Sequence, residues 1–245
     1  MTNLNWTIDE AGLAEAAQAQ TVSILNDLQA QGYAIGRIAA DSLHSLVAGQ
    51  TTQPDADKLV VGVGTGFNAA AVLETTGGRV VMPSESGHAT LPVRTEEDFS
   101  LCRFMDTAHG FPAVEEVLSG RGVEQIYDWL GQADGAPSSS AAKIMASVAA
   151  GDDPRAGKTA ATFDRFLGAV VGDLALTFLP FGGIYLVGGV SRAFAPYLSD
   201  LKFSESLRDK GRFGDFVAEF PVWLIEDDYA ALVGCAAHLS QFRKI

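Results

Sequence analysis

The stretch that decides the fold is Leu59-Val60-Val61-Gly62-Val63-Gly64-Thr65-Gly66. Its apolar, mostly β-branched residues predict a buried strand over 58–63, and the glycines that follow predict a tight turn at the end of that strand. Such glycines let backbone N–H groups approach phosphate oxygens closely, and the Thr65 hydroxyl adds a donor. A phosphate-binding loop is one interpretation. The other is an ordinary tight turn, because the pattern lacks the G-x-x-x-x-G-K-[ST] spacing.

Composition narrows the class of protein. The chain has 245 residues, of which 47% are hydrophobic and 19% charged, so it is expected to fold as one large domain or two small ones. A net charge of -13 without a basic run argues against nucleic acid as a partner. Cys102 and Cys235 have no close Cys or His at metal spacing, which predicts buried thiols and no metal site.

No membrane or export segment is expected. The first residues lack a basic region followed by an apolar stretch, so no signal peptide is predicted and a cytoplasmic location is expected. The apolar stretch over 166–190 is long enough to cross a bilayer. It contains Asp173 and then Pro180-Phe181-Gly182-Gly183, which favours a buried helix followed by a strand.

The beginning of the chain predicts a helix, a strand and a second helix. Residues 9–20 are rich in Ala, Glu and Gln, residues 21–25 form a short, partly β-branched run, and residues 28–40 have helical spacing. This order places Asn26 and Asp27 at the carboxyl end of a strand. Ligands of α/β proteins bind at that end.

The remaining pattern alternates strands with helices, which predicts an α/β protein with a mixed sheet. Further strands are expected over 68–74, 79–83, 184–187 and 221–225, with a hairpin turn over 75–78. Helices are expected over 97–109, 114–130, 141–150, 154–179, 196–208 and 229–241.

Two polar side chains are candidates for holding a polyol, and a further acid lies later in the chain. Glu85 and His88 flank the small residues of Ser84-Glu85-Ser86-Gly87-His88, so both could point at one ligand. A carboxylate beside an imidazole can bind sugar hydroxyls, although a solvated loop is the alternative interpretation. Glu115 precedes Val117-Leu118-Ser119-Gly120 and would, taken alone, be an exposed helix acid.

The order of these motifs resembles bacterial glucokinases, the ATP-dependent glucose 6-kinases of the hexokinase and actin-like ATPase superfamily. The resemblance covers nearly the whole chain. It is carried by seven segments: Ile24-Leu25-Asn26-Asp27, Gly62-x-Gly64-Thr65-Gly66, Glu85-x-x-His88, Glu115-x-Val117-Leu118-Ser119-Gly120, Phe181 to Val190, Asp209-Lys210-Gly211-Arg212-Phe213 and Pro221-Val222-Trp223-Leu224-Ile225.

The resemblance implies a role for each candidate residue. Asp27 would be the general base that takes the proton of the sugar 6-hydroxyl, and Asn26, Glu85, His88 and Glu115 would join it in holding glucose. Gly64, Thr65 and Gly66 would bind phosphate, and Gly188 and Gly189 would pass under the adenosine of ATP. Mg²⁺ would be bound mainly with the nucleotide. Glucose and ATP are therefore the expected partners, with a homodimer as the expected assembly.

The resemblance also implies an actin-like ATPase (ribonuclease H-like) fold. Residues 1–40 and 228–245 would belong to a small α/β domain, and residues 41–227 would form a nearly complete large one. Family members begin with a strand and an Asp-x-Gly-Gly-Thr hairpin, which would lie ahead of the position of Met1, so the small domain is expected to lack its N-terminal strands. The family usually has Gly-Glu-Gly-Gly-His where this chain has Ser84-Glu85-Ser86-Gly87-His88, a difference that could shift sugar affinity or selectivity.

Two other functions are compatible with the same residues. The chain could be a catalytically inactive sugar-binding or regulatory protein that keeps the sugar-binding residues and no longer uses ATP. It could also phosphorylate another hexose, since a similar clamp accepts related sugars with modest differences in affinity.

Overall fold

The computed structural model describes residues 7–49, 53–198 and 202–242. The strands in these ranges are β1 (Leu43–Val47), β2 (Lys58–Val63), β3 (Phe67–Thr75), β4 (Gly78–Met82), β5 (Ile184–Val187) and β6 (Val222–Ile225). The helices are α1 (Glu10–Ala17), α2 (Asp27–Ala34), α3 (Glu96–His109), α4 (Val114–Val117), α5 (Gly120–Gly131), α6 (Ala141–Ala150), α7 (Pro154–Phe178), α8 (Gly189–Phe194), α9 (Phe203–Arg208), α10 (Gly214–Val217) and α11 (Ala230–Gln241).

The six strands form one mixed sheet in the order β1-β6-β5-β2-β3-β4. Strands β2, β5 and β6 are parallel, whereas β3, β4 and β1 join by antiparallel pairing. Because successive side chains of a strand point to opposite faces, Leu59 and Val61 enter one core and Val60 enters the other. The sheet therefore has an apolar core on each face, as the mixed α/β pattern predicted.

Helices α2 and α11 cover one face of the sheet. They cross closely, since a Cβ built on Gly234 would lie 1.7 Å from the carbonyl oxygen of Ala30. Helix α7, with Phe163 and Phe166 fully buried, covers the other face together with α5. Helices α2 and α11 thus pack on each other and on the sheet. The assignment of residues 1–40 and 228–245 to a separate small domain stays a prediction.

Four secondary-structure predictions require correction. Residues 21–25 join no strand of the described sheet; the Ser23 hydroxyl pairs with the His238 ring instead, and the chain leads directly into α2. Helix α2 ends at Ala34 and not at residue 40. The Arg79 guanidinium donates to the carbonyls of Gly32, Tyr33 and Ile35 at the end of the helix, and Gly36 follows with a φ of 81°.

The helix predicted over 114–130 is broken, because the Ser119 side chain accepts from the Gly122 N–H and starts a new helix. Of the helix predicted over 196–208, only the part that forms α9 is observed in the described residues. It is preceded by a turn that contains Pro196. Residues 199–201 of that prediction lie outside the described residues.

The structure bears on the predictions about membrane-spanning helices and about the two cysteines. None of the helices in the described ranges is both long and apolar enough to cross a membrane. Helix α7 ends before β5, as expected for 166–190. Both cysteines are free thiols, but Cys235 is exposed on the outer side of α11, so the prediction that it is buried was wrong.

Asp164 is a buried carboxyl group in the middle of α7. Its side chain is fully buried, and neither carboxylate oxygen has a hydrogen-bond partner. Because a charge without a partner is costly in an apolar core, burial raises the pKa of Asp164 to about 8.

This burial makes a pH-dependent contribution to stability. The folded chain holds the Asp164 proton up to about pH 8 while the unfolded chain releases it near pH 3.8, so stability falls as the pH rises between these values. We expect Asp164→Asn to abolish this fall and to stabilise the chain by roughly 3 kcal/mol at about pH 7. Urea unfolding at about pH 5 and about pH 8 measures the difference. The control is Asp152→Asn at an exposed site, and parallel pH profiles for Asp164→Asn and the unmodified chain would contradict the assignment.

Candidate functional site

The parallel strands β2, β5 and β6 end at the same edge of the sheet. Strand β2 leads into Gly64, β5 leads into Gly188, and β6 leads into the acidic Glu226-Asp227-Asp228. Loops at the carboxyl ends of parallel strands form the ligand site of open α/β sheets. The glycine loops predicted from the sequence are therefore neighbours at this edge.

The Gly64-Thr65-Gly66 loop is a tight turn with its backbone held in place. The N–H of Gly64 donates to the carbonyl of Gly66 at 2.9 Å, and the N–H of Gly120 donates to the carbonyl of Gly64 at 2.8 Å. A Cβ built on Gly64 would meet no atom within 4 Å, and Thr65 is exposed. The loop thus presents open space next to backbone and hydroxyl donors, which suits a phosphate group.

Two helix starts adjoin this loop. A Cβ built on Gly120, the first residue of α5, would lie 3.6 Å from the carbonyl oxygen of Gly64 and 3.8 Å from Val190 in α8. On the other side, Gly188 with a φ of 102° lies against Val63, whose carbonyl oxygen would be 2.4 Å from a Cβ. At the start of α5, the Gly120 N–H donates to the Gly64 carbonyl and the Gly122 N–H to the Ser119 side chain, so this helix start holds the loop in place.

Glu115 joins the glycine loop to the second predicted cluster. From α4, its Oε2 accepts from the Phe67 N–H at 2.9 Å and would lie 2.4 Å from a Cβ on Gly66. Its own Cβ would lie 3.5 Å from a Cβ on Gly87. The exposed helix acid, one of the two interpretations of Glu115, is therefore wrong: the carboxylate is half-buried and lies at the exit of the glycine loop.

Glu85 precedes a short 3-10 turn, Ser86–His88, and His88 is its last residue; both side chains are exposed. The N–H of His88 donates to the carbonyl of Glu85 at 3.0 Å. At the centre of the turn, a Cβ on Gly87 would lie 2.0 Å from the carbonyl oxygen of Phe67, so only glycine fits there. The turn thus packs directly on the start of β3, beside Glu115.

Asn26 and Asp27 begin α2 instead of ending a strand, which corrects the sequence-based prediction. The Asn26 side chain accepts from the Gln29 N–H at 2.6 Å, and the Gln29 side chain accepts from the Asn26 N–H, forming a capping box. Asp27 is exposed and accepts from the Leu28 N–H at 2.9 Å.

Contacts of α2 place these two residues relative to the loops. A Leu28 methyl would lie 3.0 Å from a Cβ on Gly62, two residues before Gly64. The Gln29 amide donates to the carbonyl of Val81 at 3.1 Å, near the end of β4 and three residues before Ser84. The start of α2 therefore lies at the same sheet edge, between the glycine loop and the strand that leads to Glu85.

Sequence analysis missed Asn68, which holds the Glu85 turn. Its amide group bonds to the backbone of both Ser84 and Ser86. The available signal was an asparagine inside an Ala- and Val-rich strand, where asparagine is unfavourable and indicates a specific role.

Comparison with known proteins shows the family of the chain. A sequence model of the family described as Glucokinase matches residues 1–242. A glucokinase of Sinorhizobium fredii is 33% identical over 239 residues, which cover 97% of this chain and 70% of that protein. A glucokinase of Pseudomonas aeruginosa is 32% identical over 244 residues, covering 98% of this chain and 73% of that protein.

Solved structures give the same result for the fold. The crystal structure of glucokinase from an Antarctic psychrotroph superposes with a TM-score of 0.87 at 29% identity, covering 98% of this chain and 74% of that one. Leishmania braziliensis glucokinase, at 20% identity, has a TM-score of 0.78 over 89% of this chain and 64% of that one, and shows the shared fold alone. The expected α/β, actin-like ATPase fold is thereby confirmed, and the chain belongs to the glucokinase family.

Proposed function

We propose that this protein transfers the γ-phosphoryl group of ATP to the 6-hydroxyl of glucose. The observation that carries the proposal is the position of Glu115, whose carboxylate contacts the exit of the Gly64-Thr65-Gly66 loop and lies beside the turn that bears Glu85 and His88. One side chain thus joins the donors that suit phosphate to the side chains that suit a sugar. The glucokinases among its relatives favour phosphoryl transfer over a protein that only binds sugar.

The sugar would be held by five residues at the carboxyl edge of the sheet. Asp27 would accept the proton of the 6-hydroxyl, because its carboxylate is exposed at the start of α2, where the next residue, Leu28, packs on Gly62 of β2. Glu85, His88 and Glu115 would bind further hydroxyls, and the amide NH₂ of Asn26 would donate to another, since the Asn26 oxygen already caps α2. Charged groups make strong, directional hydrogen bonds to hydroxyls.

ATP would lie along the glycine loops. The Gly64-Thr65-Gly66 loop would hold its phosphates through the Thr65 hydroxyl and the N–H groups of Thr65 and Gly66, because the Gly64 N–H is bonded within the turn. Gly188 and Gly189 would pass beneath the adenosine. Mg²⁺ keeps several waters and binds through substrate phosphates, so it would arrive with the nucleotide. In a largely dissociative transition state, orientation of the hydroxyl by Asp27 and stabilisation of phosphate charge by these donors matter more than base strength.

A direct test is ADP formation by the purified chain with MgATP, with and without glucose. We expect turnover that depends on glucose and stops when EDTA removes Mg²⁺. Among glucose, mannose, glucosamine and fructose, glucose is expected to have the highest kcat/KM. Glucose binding without ADP formation would contradict the proposal and support the sugar-binding alternative, and a higher kcat/KM for another hexose would identify a different hexose kinase.

Two further expectations rest on family resemblance. We propose a homodimer, which light scattering of the purified chain can test, and a cytoplasmic location, which stays a prediction.

A further inference from the structure

We propose that Asn68 is a positioning residue that orders the Glu85 turn before sugar binds. This inference deepens the proposed function and depends on it for its kinetic part. Asn68 is the second residue of β3 and pairs with Gly62 of β2, so it lies on a strand that is paired on both sides, with β2 and with β4. Glu85 and His88, in contrast, lie on an exposed loop between β4 and α3.

The Asn68 amide holds the loop on both sides of Glu85. Its Nδ2 donates to the carbonyl of Ser84 at 2.5 Å, and its Oδ1 accepts from the N–H of Ser86 at 3.0 Å. The same oxygen accepts from the N–H of Ala69 at 2.8 Å, which fixes the orientation of the amide. Since a carbonyl oxygen has two lone pairs, these two backbone donors fill its main acceptor positions.

The serine hydroxyls strengthen the arrangement. The Ser84 hydroxyl lies 2.6 Å from the carbonyl oxygen of Ala69 and 3.1 Å from the Asn68 oxygen. Because a hydroxyl has one proton, it donates to the nearer Ala69 carbonyl. The Ser86 hydroxyl lies 3.1 Å from the Asn68 oxygen. Glycine at 84 and 86 would remove both hydroxyls and make the backbone more flexible.

This arrangement makes residues 66–68 a shared support for both substrate loops. Gly66 ends the phosphate loop, Phe67 is bonded to Glu115 and packs on Gly87, and Asn68 holds Ser84 and Ser86. A turn fixed in its bound conformation loses less conformational entropy when the ligand binds, so Asn68 is expected to increase affinity for the sugar without taking part in chemistry.

The experiment is Asn68→Ala, studied by steady-state kinetics and by hydrogen exchange of the chain without ligands. We expect the KM for glucose to rise about tenfold while kcat changes less than about twofold, because net hydrogen bonds of ordinary strength to the loop are lost. Amides of 84–88 are expected to exchange faster, and those of β2 and α7 to keep their rates. Ser86→Ala, which removes only a hydroxyl, should change the KM far less.

Controls keep structural damage and failure of the proposed function distinguishable. Thr75, at the other end of β3, donates its hydroxyl to the Gly78 carbonyl, and Thr75→Ala should leave kinetics and exchange over 84–88 unchanged. If Asn68→Ala does not fold, Asn68→Asp keeps the acceptor and loses the donor to Ser84, and should give the same changes in smaller size. Unchanged exchange over 84–88 would overturn the inference whether or not the chain phosphorylates glucose. An unchanged KM in an active enzyme would overturn it as well.

Discussion

Asp27→Asn is expected to lower kcat for glucose phosphorylation by about a thousandfold, the range in which a positioned general base contributes. The amide cannot accept the proton of the 6-hydroxyl, but its oxygen can still accept from the Leu28 N–H, as the carboxylate does at 2.9 Å. Helix α2 should therefore begin in the same place. Glucose binding should be weakened and not lost, because four of the five proposed sugar ligands remain.

The measurements are ADP formation under saturating substrates and glucose binding by calorimetry on the same preparation. Asp9→Asn is a matched control, since Asp9 also lies at a helix start and accepts from a backbone N–H, that of Gly12, at 2.8 Å. It should leave both quantities unchanged. If Asp27→Asn turned over glucose at the rate of the unmodified chain, Asp27 would not be the base.

Much of the fold was predictable because its signals are local. The β-branched run over 58–63, the Gly77-Gly78 hairpin and the long apolar pattern of α7 all predicted elements close to the observed ones. Glycine spacing also located the two turns at the sheet edge, since Gly64 and Gly188 occupy positions where a strand ends.

Elements that depend on distant partners were not predictable. Strand β1 has exposed His44 and Ser45 and no strong alternation, and it exists because it pairs with β6, far along the chain. The opposite error arose at 21–25, where β propensity predicted a strand. No strand of the described sheet pairs with this segment, and the Ser23 hydroxyl bonds to the His238 ring instead.

Prediction of the site from the sequence was limited in the same way. Side chains flanking a glycine turn could be proposed from sequence, but their support could not. Asn68 is far from Ser84 in sequence and meets it only because β3 and β4 form a hairpin. Likewise, the contact of Glu115 with Phe67 depends on how α4 packs against β3. Long-range packing thus determines which of the candidate residues share one site.

Gly188→Ala is expected to destabilise the chain and to remove ATP binding. Gly188 has a φ of 102° and a ψ of 162°, a conformation that side chains strongly disfavour. A Cβ there would lie 2.4 Å from the oxygen and 2.9 Å from the carbon of the Val63 carbonyl. Because that contact is with the backbone of β2, relief would require β2 and β5 to move apart next to the Gly64-Thr65-Gly66 loop. Strain and contact together should cost about 3 kcal/mol or more, which lowers Tm by roughly 10 °C in a chain of this size.

Two glycines on the same chain test whether this effect is specific to position 188. A Cβ on Gly189 or on Gly157 would meet no atom within 4 Å, and both residues begin or lie within helices, where alanine is favourable. Gly189→Ala should therefore keep its Tm, and Gly157→Ala should keep both its Tm and its glucose-dependent ADP formation. Thermal unfolding and binding of an ATP analogue measure the two effects of Gly188→Ala. If Gly188→Ala bound the analogue with normal affinity, the turn after β5 would not shape the nucleotide site, because the substitution changes the backbone there.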